Sequence, residues 1–235
     1  MKKFLPNLIT LINLFCGINA LILWLNAQYE QAFTFIVIAA VADFLDGFVA
    51  RLLNVSSEIG KQLDSLCDLV SFGVFPSIIV FTYLNENLSL AEFQPYAAWP
   101  AFLIALGAAF RLAKFNIDTR QTTDFIGLNT PSSTIFIIGL YFIESQQVFG
   151  LDTLIKHPLF LYSICIIIPI LMNTSINMFG LKIKSFTLKG NELQLILLVC
   201  SAVSIILLGW AALSFIILFY LILSILFHNK RLANS

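Results

Sequence analysis

Residues 40–73 read AVADFLDGFVARLLNVSSEIGKQLDSLCDLVSFG, and they contain four aspartates among long apolar stretches. Asp43 and Asp46 are three residues apart and Asp64 and Asp68 are four apart, so each pair shares one face of a helix. A short polar loop separates the two pairs, which favours two antiparallel neighbouring helices. The segment therefore predicts four carboxylates that converge at one end of a helical hairpin.

The chain around this segment is far more apolar than a soluble protein. Of its 235 residues, 59% are hydrophobic and 11% are charged, whereas a typical soluble domain carries about 25% charged residues. Apolar stretches of about 20 residues match the length of a helix that crosses a bilayer. They are too long for the alternating strands of a membrane barrel. The predicted fold is therefore all-α, a polytopic transmembrane helix bundle whose surroundings are the lipid bilayer.

Eight spans can be placed along the sequence. The C-terminal apolar run from Leu193 to Phe227 is too long for one span, and Gly209-Trp210 is the natural place for a tight reversal. The predicted spans are 6–26, 32–53, 63–84, 96–116, 131–147, 158–179, 192–208 and 210–227. Residues 1–235 are thus expected to form a single membrane domain that ends in a transmembrane hairpin over 192–228.

The basic residues predict how this bundle is oriented, because cytoplasmic loops carry an excess of Lys and Arg. With eight spans, only Lys156 lies on the side opposite the termini. The other side receives Lys2, Lys3, Arg51, Lys61, Arg111, Lys114, Arg120, Lys182, Lys184, Lys189, Lys230 and Arg231. Both termini and the aspartates are therefore expected to face the cytoplasm, with the chain in the cell (inner) membrane as a multi-pass protein.

The aspartates require compensation, because one carboxylate within a span costs about 2.5–3.5 kcal/mol on insertion scales. No matching cluster of cations accompanies them, which indicates bound divalent metal. Oxygen ligands favour Mg²⁺, Mn²⁺ or Ca²⁺ over zinc, and two ions about 3.5–4 Å apart would neutralise four carboxylates. A cation path through the membrane is the alternative from a different class, in which the chain is a cation transporter.

Small residues accompany the carboxylates. Gly47 and Ala50 share a helix face with Asp43 and Asp46, and Gly60 lies one turn before Asp64. Side chains of this size let another helix, or a flat base, approach the backbone closely. Arg51 follows at once, and its guanidinium suits a phosphate. The spaced pattern is Asp43-x2-Asp46-Gly47-x2-Ala50-Arg51-x8-Gly60-x3-Asp64-x3-Asp68.

This pattern resembles, at every fixed position, the signature of the CDP-alcohol phosphotransferase family. The resemblance implies a centre of two divalent ions, Mg²⁺ or Mn²⁺, whose ligands are Asp43, Asp46, Asp64 and Asp68. It also implies that Asp68 is the general base for the acceptor hydroxyl, that Gly47 and Ala50 border the cytidine, and that Arg51 lies near the CDP group. The predicted set that binds CDP-diacylglycerol is Gly47, Ala50, Arg51, Gly60, Asn7 and Thr10.

Other segments are similar to the family members that use serine as the acceptor. These segments are residues 4–17, 69–76, 109–117 and 125–131, and the resemblance covers about residues 4–185. Members that make phosphatidylglycerophosphate commonly carry Arg at the position of Asn13. The chain departs from the serine enzymes at Asn129, where they more often have Pro. The resemblance implies transfer of a phosphatidyl group from CDP-diacylglycerol to L-serine. Glycerol 3-phosphate, inositol phosphate and choline stay as alternative acceptors.

The acceptor is expected near the cytoplasmic end of the fourth span. Arg111 and Lys114 are one turn apart there, and either could hold the serine carboxylate or a substrate phosphate. The alternative for both is ordinary anchoring of a helix end by positive charge. Asn116 is a further candidate for acceptor binding. A homodimer is expected from the family resemblance alone, and no nucleic-acid partner is expected.

Overall fold

The computed structural model describes residues 4–55, 57–88, 94–117, 125–180 and 191–232. Within these ranges the chain is helical, as its composition predicts, apart from one antiparallel pair of two-residue strands. The strands are β1, Phe125–Ile126, and β2, Asn177–Met178. Several basic residues used to predict the orientation lie outside the description: Lys2, Lys3, Arg120, Lys182, Lys184, Lys189 and the side chains of Lys230 and Arg231.

Eleven α-helices follow one another in the described residues. They are α1 Phe4–Leu25, α2 Tyr29–Leu52, α3 Glu58–Asp68, α4 Phe75–Asn87, α5 Gln94–Ala97, α6 Leu103–Ile117, α7 Thr130–Ser145, α8 Asp152–Lys156, α9 Pro158–Asn173, α10 Glu192–Leu208 and α11 Ala212–Leu232. A π-helical segment, Leu69–Val74, joins α3 to α4, and 3₁₀ turns lie at Trp99–Phe102, Val148–Gly150 and Gly209–Ala211.

Five helical stretches are long and apolar enough to cross a membrane: Phe4–Leu25, Tyr29–Leu52, Glu58–Asn87, Trp99–Ile117 and Glu192–Leu226. In four of them only 33% of the most apolar window is buried inside the bundle. Large apolar side chains such as Phe44, Ile117 and Ile206 are exposed instead. A surface of this kind is stable only in a lipid environment, so the chain is a polytopic membrane bundle.

The third span begins earlier than the predicted residue 63. Ser57 caps α3, because its Oγ accepts a hydrogen bond of 3.0 Å from the backbone N–H of Gly60. The span then widens into the π-helical segment directly after Asp68. Pro76 has no N–H to donate to the carbonyl of Phe72, and Thr134 Oγ1 of α7 donates to that carbonyl at 3.0 Å. The proline and the threonine thus account for the wide turn.

The sixth span ends at Asn173, not at the predicted residue 179. Asn173 Nδ2 donates to the carbonyls of Pro169 and Gly107, at 2.9 and 3.0 Å, so its side chain satisfies groups at the helix end. The backbone N–H of Leu128 donates a hydrogen bond of 2.9 Å to the carbonyl of Leu171. These bonds stop the helix, and the chain continues into β2, which pairs with β1.

The C-terminal apolar run reverses where the sequence predicts it. Gly209 has φ 57° and ψ −132°, a backbone conformation that residues with a Cβ rarely adopt. Helices α10 and α11 pack against each other, and α11 also packs on α7. Helix α11 lies very close to α7, because a Cβ at Gly139 of α7 would lie 2.3 Å from the backbone nitrogen of Ser214 of α11. The hairpin is therefore fixed to the rest of the bundle.

Candidate functional site

Three of the four predicted carboxylates meet at one end of α2 and α3. Oxygen atoms of Asp43, Asp64 and Asp68 all lie within 4.8 Å of one another. Asp68 is 8% exposed, and Asp64 Oδ1 is buried without a hydrogen-bond partner among the described residues. Like charges this close repel strongly in a medium of low dielectric. An all-oxygen donor set with an unpaired buried oxygen fits Mg²⁺ or Mn²⁺.

Asp46 lies outside this group of three. Its Oδ2 accepts a hydrogen bond of 2.6 Å from Thr10 Oγ1 of α1, which also donates to the carbonyl of Pro6 at 3.0 Å. The Asp46 side chain lines a neighbouring cavity together with Asp64. A role of Asp46 as a metal ligand stays a prediction, since one of its oxygens is already held by the threonine.

Asp68 is held in place by a chain of hydrogen bonds from α1. Asn13 Nδ2 donates to Asp68 Oδ1 at 3.0 Å, and Ser71 Oγ donates to Asn13 Oδ1 at 2.7 Å. Helix α1 comes very close here, because a Cβ at Gly17 would lie 2.2 Å from Ser71 Oγ. The sequence pattern missed this contact, since Ser71 reaches Asn13 from the π-helical segment.

A cavity of about 300 Å³ opens beside the carboxylates. Its lining includes the predicted substrate-binding residues Asn7, Thr10, Gly47, Ala50 and Gly60. A Cβ at Gly60 would lie 3.0 Å from Asn7 Oδ1, so a larger residue would intrude on this wall.

Arg51 does not line the cavity, although it was predicted to bind the same substrate. Its side chain is exposed, and its Nη1 would lie 3.6 Å from a Cβ at Gly47. The guanidinium therefore lies alongside a residue of the cavity wall, where it can reach a ligand that projects from the opening. Its role as a CDP-binding residue stays a prediction.

The sequence pattern also missed four residues of the cavity wall: Pro6, Val55, Ser57 and Lys61. Lys61 Nζ donates to the carbonyl of Asn116 at 2.5 Å, which brings a cation from α3 to the end of α6. The signal that could have identified it is its position, directly after Gly60 and three residues before Asp64.

The predicted acceptor residues fall into different settings. Arg111 is 8% exposed, its Nε has no hydrogen-bond partner among the described residues, and it interacts electrostatically with Asp68. Lys114 is exposed and shares a small recess with Arg111. Asn116 Nδ2 donates to Ser65 Oγ at 2.9 Å and to Gln62 Oε1 at 3.1 Å, so this side chain connects α6 to α3. Among the described residues, Arg111 is thus the acceptor candidate that interacts electrostatically with Asp68.

Comparison with known proteins identifies the class. A model of the family described as CDP-alcohol phosphatidyltransferase matches residues 3–226, and the chain belongs to this family. Its grouped aspartates lie within the matched part of the sequence.

Three curated relatives carry the name CDP-diacylglycerol–serine O-phosphatidyltransferase. The protein of Helicobacter pylori (strain J99) is 34% identical over 147 residues, which are 61% of this chain and 60% of the relative. That of Bacillus subtilis (strain 168) is 31% identical over 151 residues, 64% of this chain and 82% of the relative. That of Methanocaldococcus jannaschii is 33% identical over 131 residues, 56% of this chain and 57% of the relative. The matched region thus spans about three fifths of the length of the Helicobacter relative.

Proposed function

We propose that this chain transfers the phosphatidyl group of CDP-diacylglycerol to L-serine, giving phosphatidylserine and CMP. The observation that carries the proposal is the meeting of Asp43, Asp64 and Asp68 beside a cavity. Four other residues of the family pattern line that cavity: Asp46, Gly47, Ala50 and Gly60. Serine as the acceptor is supported by the names of the relatives and by Arg111, a buried cation that interacts electrostatically with Asp68.

The chemistry follows from the roles assigned to these residues. Asp43, Asp64 and Asp68, with Asp46 at the edge, would hold two ions of Mg²⁺ or Mn²⁺. When bound, such ions supply charge stabilisation to the transferring phosphoryl group and to departing CMP. Asp68 takes the proton of the serine hydroxyl while the hydroxyl oxygen forms a bond to the phosphatidyl phosphorus. The bond from that phosphorus to the CMP oxygen breaks, and CMP leaves with the electron pair.

Substrate access fits a site at the membrane surface. The cavity lies where α1 and α3 begin and α2 ends, so lipid tails can enter sideways from the bilayer while the nucleotide comes from the aqueous side. We place this side in the cytoplasm, in a multi-pass inner-membrane protein with eight spans. The 16 residues of α7 and of α9 extend about 24 Å each, roughly 6 Å less than the hydrocarbon core. A homodimer is part of the same proposal.

An acceptor panel tests the proposed reaction. Membranes that contain the protein are incubated with labelled CDP-diacylglycerol and with L-serine, glycerol 3-phosphate, inositol phosphate or choline separately. Phosphatidylserine and an equal amount of CMP are expected with serine alone. Product with glycerol 3-phosphate and none with serine would disprove the proposed acceptor, and absence of CMP with every alcohol would disprove the reaction class.

Replacement of Asn13 tests whether it positions the proposed base. Asn13→Leu keeps a similar volume but removes the hydrogen bond to Asp68 Oδ1. We expect kcat to fall about 10- to 100-fold, and the Mn²⁺ concentration for half-maximal rate to rise by a similar factor, as for other partners that orient metal ligands. The measurement is initial rate against Mn²⁺ concentration.

Asn19→Leu is the matched control for this variant. Within the part of the chain that the structure describes, Asn19 Nδ2 donates only to the carbonyl of Phe15 in its own helix, at 2.7 Å. Both rate and Mn²⁺ dependence should stay at the wild-type level in the control. An unchanged Mn²⁺ dependence in Asn13→Leu would show that Asn13 does not orient the metal-binding carboxylate.

Replacement of Arg111 tests how serine is held. Arg111→Ala removes the cation beside Asp68, and we expect the KM for serine to rise about tenfold or more, because a hydrogen bond between charged groups contributes roughly 1.5–3 kcal/mol. The KM for CDP-diacylglycerol should stay within about twofold if the two sites are separate. Arg111→Lys keeps the charge and should recover part of the affinity. An unchanged serine KM in Arg111→Ala would assign the residue to anchoring of the helix.

A further inference from the structure

A second cavity lies at the other end of the bundle from the aspartates. It encloses about 330 Å³ where α1, α4 and α7 end and α2 begins. Tyr29, the first residue of α2, lines it, whereas Asp46 lies in the last turns of the same helix. The two positions are about 25 Å apart along the helix axis at about 1.5 Å per residue. The second cavity is therefore separate from the proposed catalytic centre.

One side of this cavity is a continuous aromatic wall, defined by Trp24, Tyr29 and Tyr141. The ring centroids of Trp24 and Tyr29 are 4.5 Å apart, and each lies 5.4 Å from the centroid of Tyr141. Trp24 is fixed by a hydrogen bond of 3.0 Å from its Nε1 to Thr82 Oγ1. The faces of such rings carry partial negative charge and attract ammonium groups.

Two carboxylates, Glu86 and Glu144, line the same cavity together with one lysine, Lys156. Glu144 accepts a hydrogen bond of 3.0 Å from Tyr83 Oη and forms an ion pair of 2.5 Å with Lys156. Glu86 is exposed, and within the described part of the chain it has neither a hydrogen bond nor an ion pair. Glu86 also acts electrostatically on Lys156, so one ammonium group serves two carboxylates and the lining keeps a net negative charge.

Two further carboxylates act on groups that line this cavity. Glu30 acts electrostatically on Tyr141, and Asp152 acts on Lys156. Lys156 does not fill the cavity, since its side chain is 46% exposed and about 330 Å³ stays open. An anion would be repelled here, and a neutral ligand would leave the excess negative charge of the lining in place. A small cation interacts favourably with both the aromatic wall and the excess of carboxylates.

We propose that this cavity is a binding site for a primary ammonium group that lies against the aromatic wall and pairs with Glu86. The ammonium group belongs either to a free small amine or to the headgroup of an aminophospholipid. The site is independent of the proposed reaction and of its acceptor, because none of its residues lies near the aspartates.

Calorimetric titration tests the site with free amine. The purified full-length chain in detergent micelles is titrated with ethanolamine, and with ethylene glycol as the neutral analogue. We expect saturable binding of ethanolamine alone, weakened about three- to fivefold by Glu86→Gln and about three- to tenfold by Tyr29→Leu. Glu58→Gln changes an exposed carboxylate at the other end of the bundle and should leave the affinity unchanged.

Nanodiscs test the lipid source of the same group. The wild-type chain and Glu86→Gln are compared in discs of phosphatidylethanolamine and of phosphatidylglycerol, with the unfolding temperature as the readout. If a lipid headgroup binds at the site, the wild type has a higher unfolding temperature in phosphatidylethanolamine discs than in phosphatidylglycerol discs. The same difference is smaller for Glu86→Gln. A free amine gives calorimetric binding without this difference. Absence of both signals, or equal signals in wild type and Glu86→Gln, would overturn the proposal.

Discussion

Replacement of Asp68 by Asn is expected to reduce kcat about 10²- to 10⁴-fold, which is the usual contribution of a general base. The two side chains have nearly the same shape, and the amide oxygen can still accept the hydrogen bond from Asn13 Nδ2 that now reaches Asp68 Oδ1. What is lost is the capacity to take the proton of the acceptor hydroxyl. The measurement is the rate of CMP release with serine at saturating concentrations of both substrates.

Binding must be measured with the same variant, because loss of the fold would also stop turnover. The affinity of Asp68→Asn for CDP-diacylglycerol should stay within about threefold of the wild type if its main loss is the base. Glu58→Gln is the matched control, since Glu58 is an exposed carboxylate on the same helix, α3. Turnover of Asp68→Asn at the control's rate would exclude Asp68 as the base.

Removal of divalent metal is expected to have an equally large effect. With EDTA in excess, CMP release should fall to background, and Mg²⁺ or Mn²⁺ should restore it, because metal assistance contributes several kcal/mol to stabilisation of the transition state. A second readout does not depend on turnover. Oxygens of Asp43, Asp64 and Asp68 lie within 4.8 Å of one another, so a bound ion relieves their repulsion and should raise the unfolding temperature.

Asp64→Asn separates this effect from general stabilisation by salt. The variant removes one charge from the group of three and should bind Mn²⁺ about 10- to 100-fold more weakly by electron paramagnetic resonance, by analogy with other losses at metal sites. Asp152→Asn lies at the other end of the bundle and should bind as the wild type does. Full activity in EDTA, together with equal Mn²⁺ affinity in both variants, would refute the metal centre.

The fold could be predicted from the sequence because hydropathy alone defines where helices can lie in a membrane. The reversal at Gly209 followed from length, since 35 apolar residues exceed one bilayer crossing. The helix ends were less predictable because they depend on partners distant in sequence. The sixth span stops at Asn173 owing to bonds with Gly107 and with the Leu128 segment, and no local signal in the sequence indicates those contacts.

The candidate site likewise has features that the sequence predicted and features that depend on contacts between distant residues. Spacing along two helices was sufficient to bring Asp43, Asp64 and Asp68 together and to place small residues beside them. Spacing could not show that Thr10 holds an oxygen of Asp46 outside that group, since the contact joins α1 to α2. The aromatic wall was missed for the same reason, because its three rings come from three different helices.

The wide turn at Leu69–Val74 has a consequence for engineering the third span. A π-turn accommodates about one more residue than an α-turn, so the helix beyond it is rotated by about 100° relative to an uninterrupted α-helix. Deletion of one residue within the segment would let the span close into regular α-helix. The half that bears Asp64 and Asp68 would then face a different neighbour while α4 kept its packing. The π-helical segment therefore determines how the aspartates of α3 are rotated about the helix axis relative to α4.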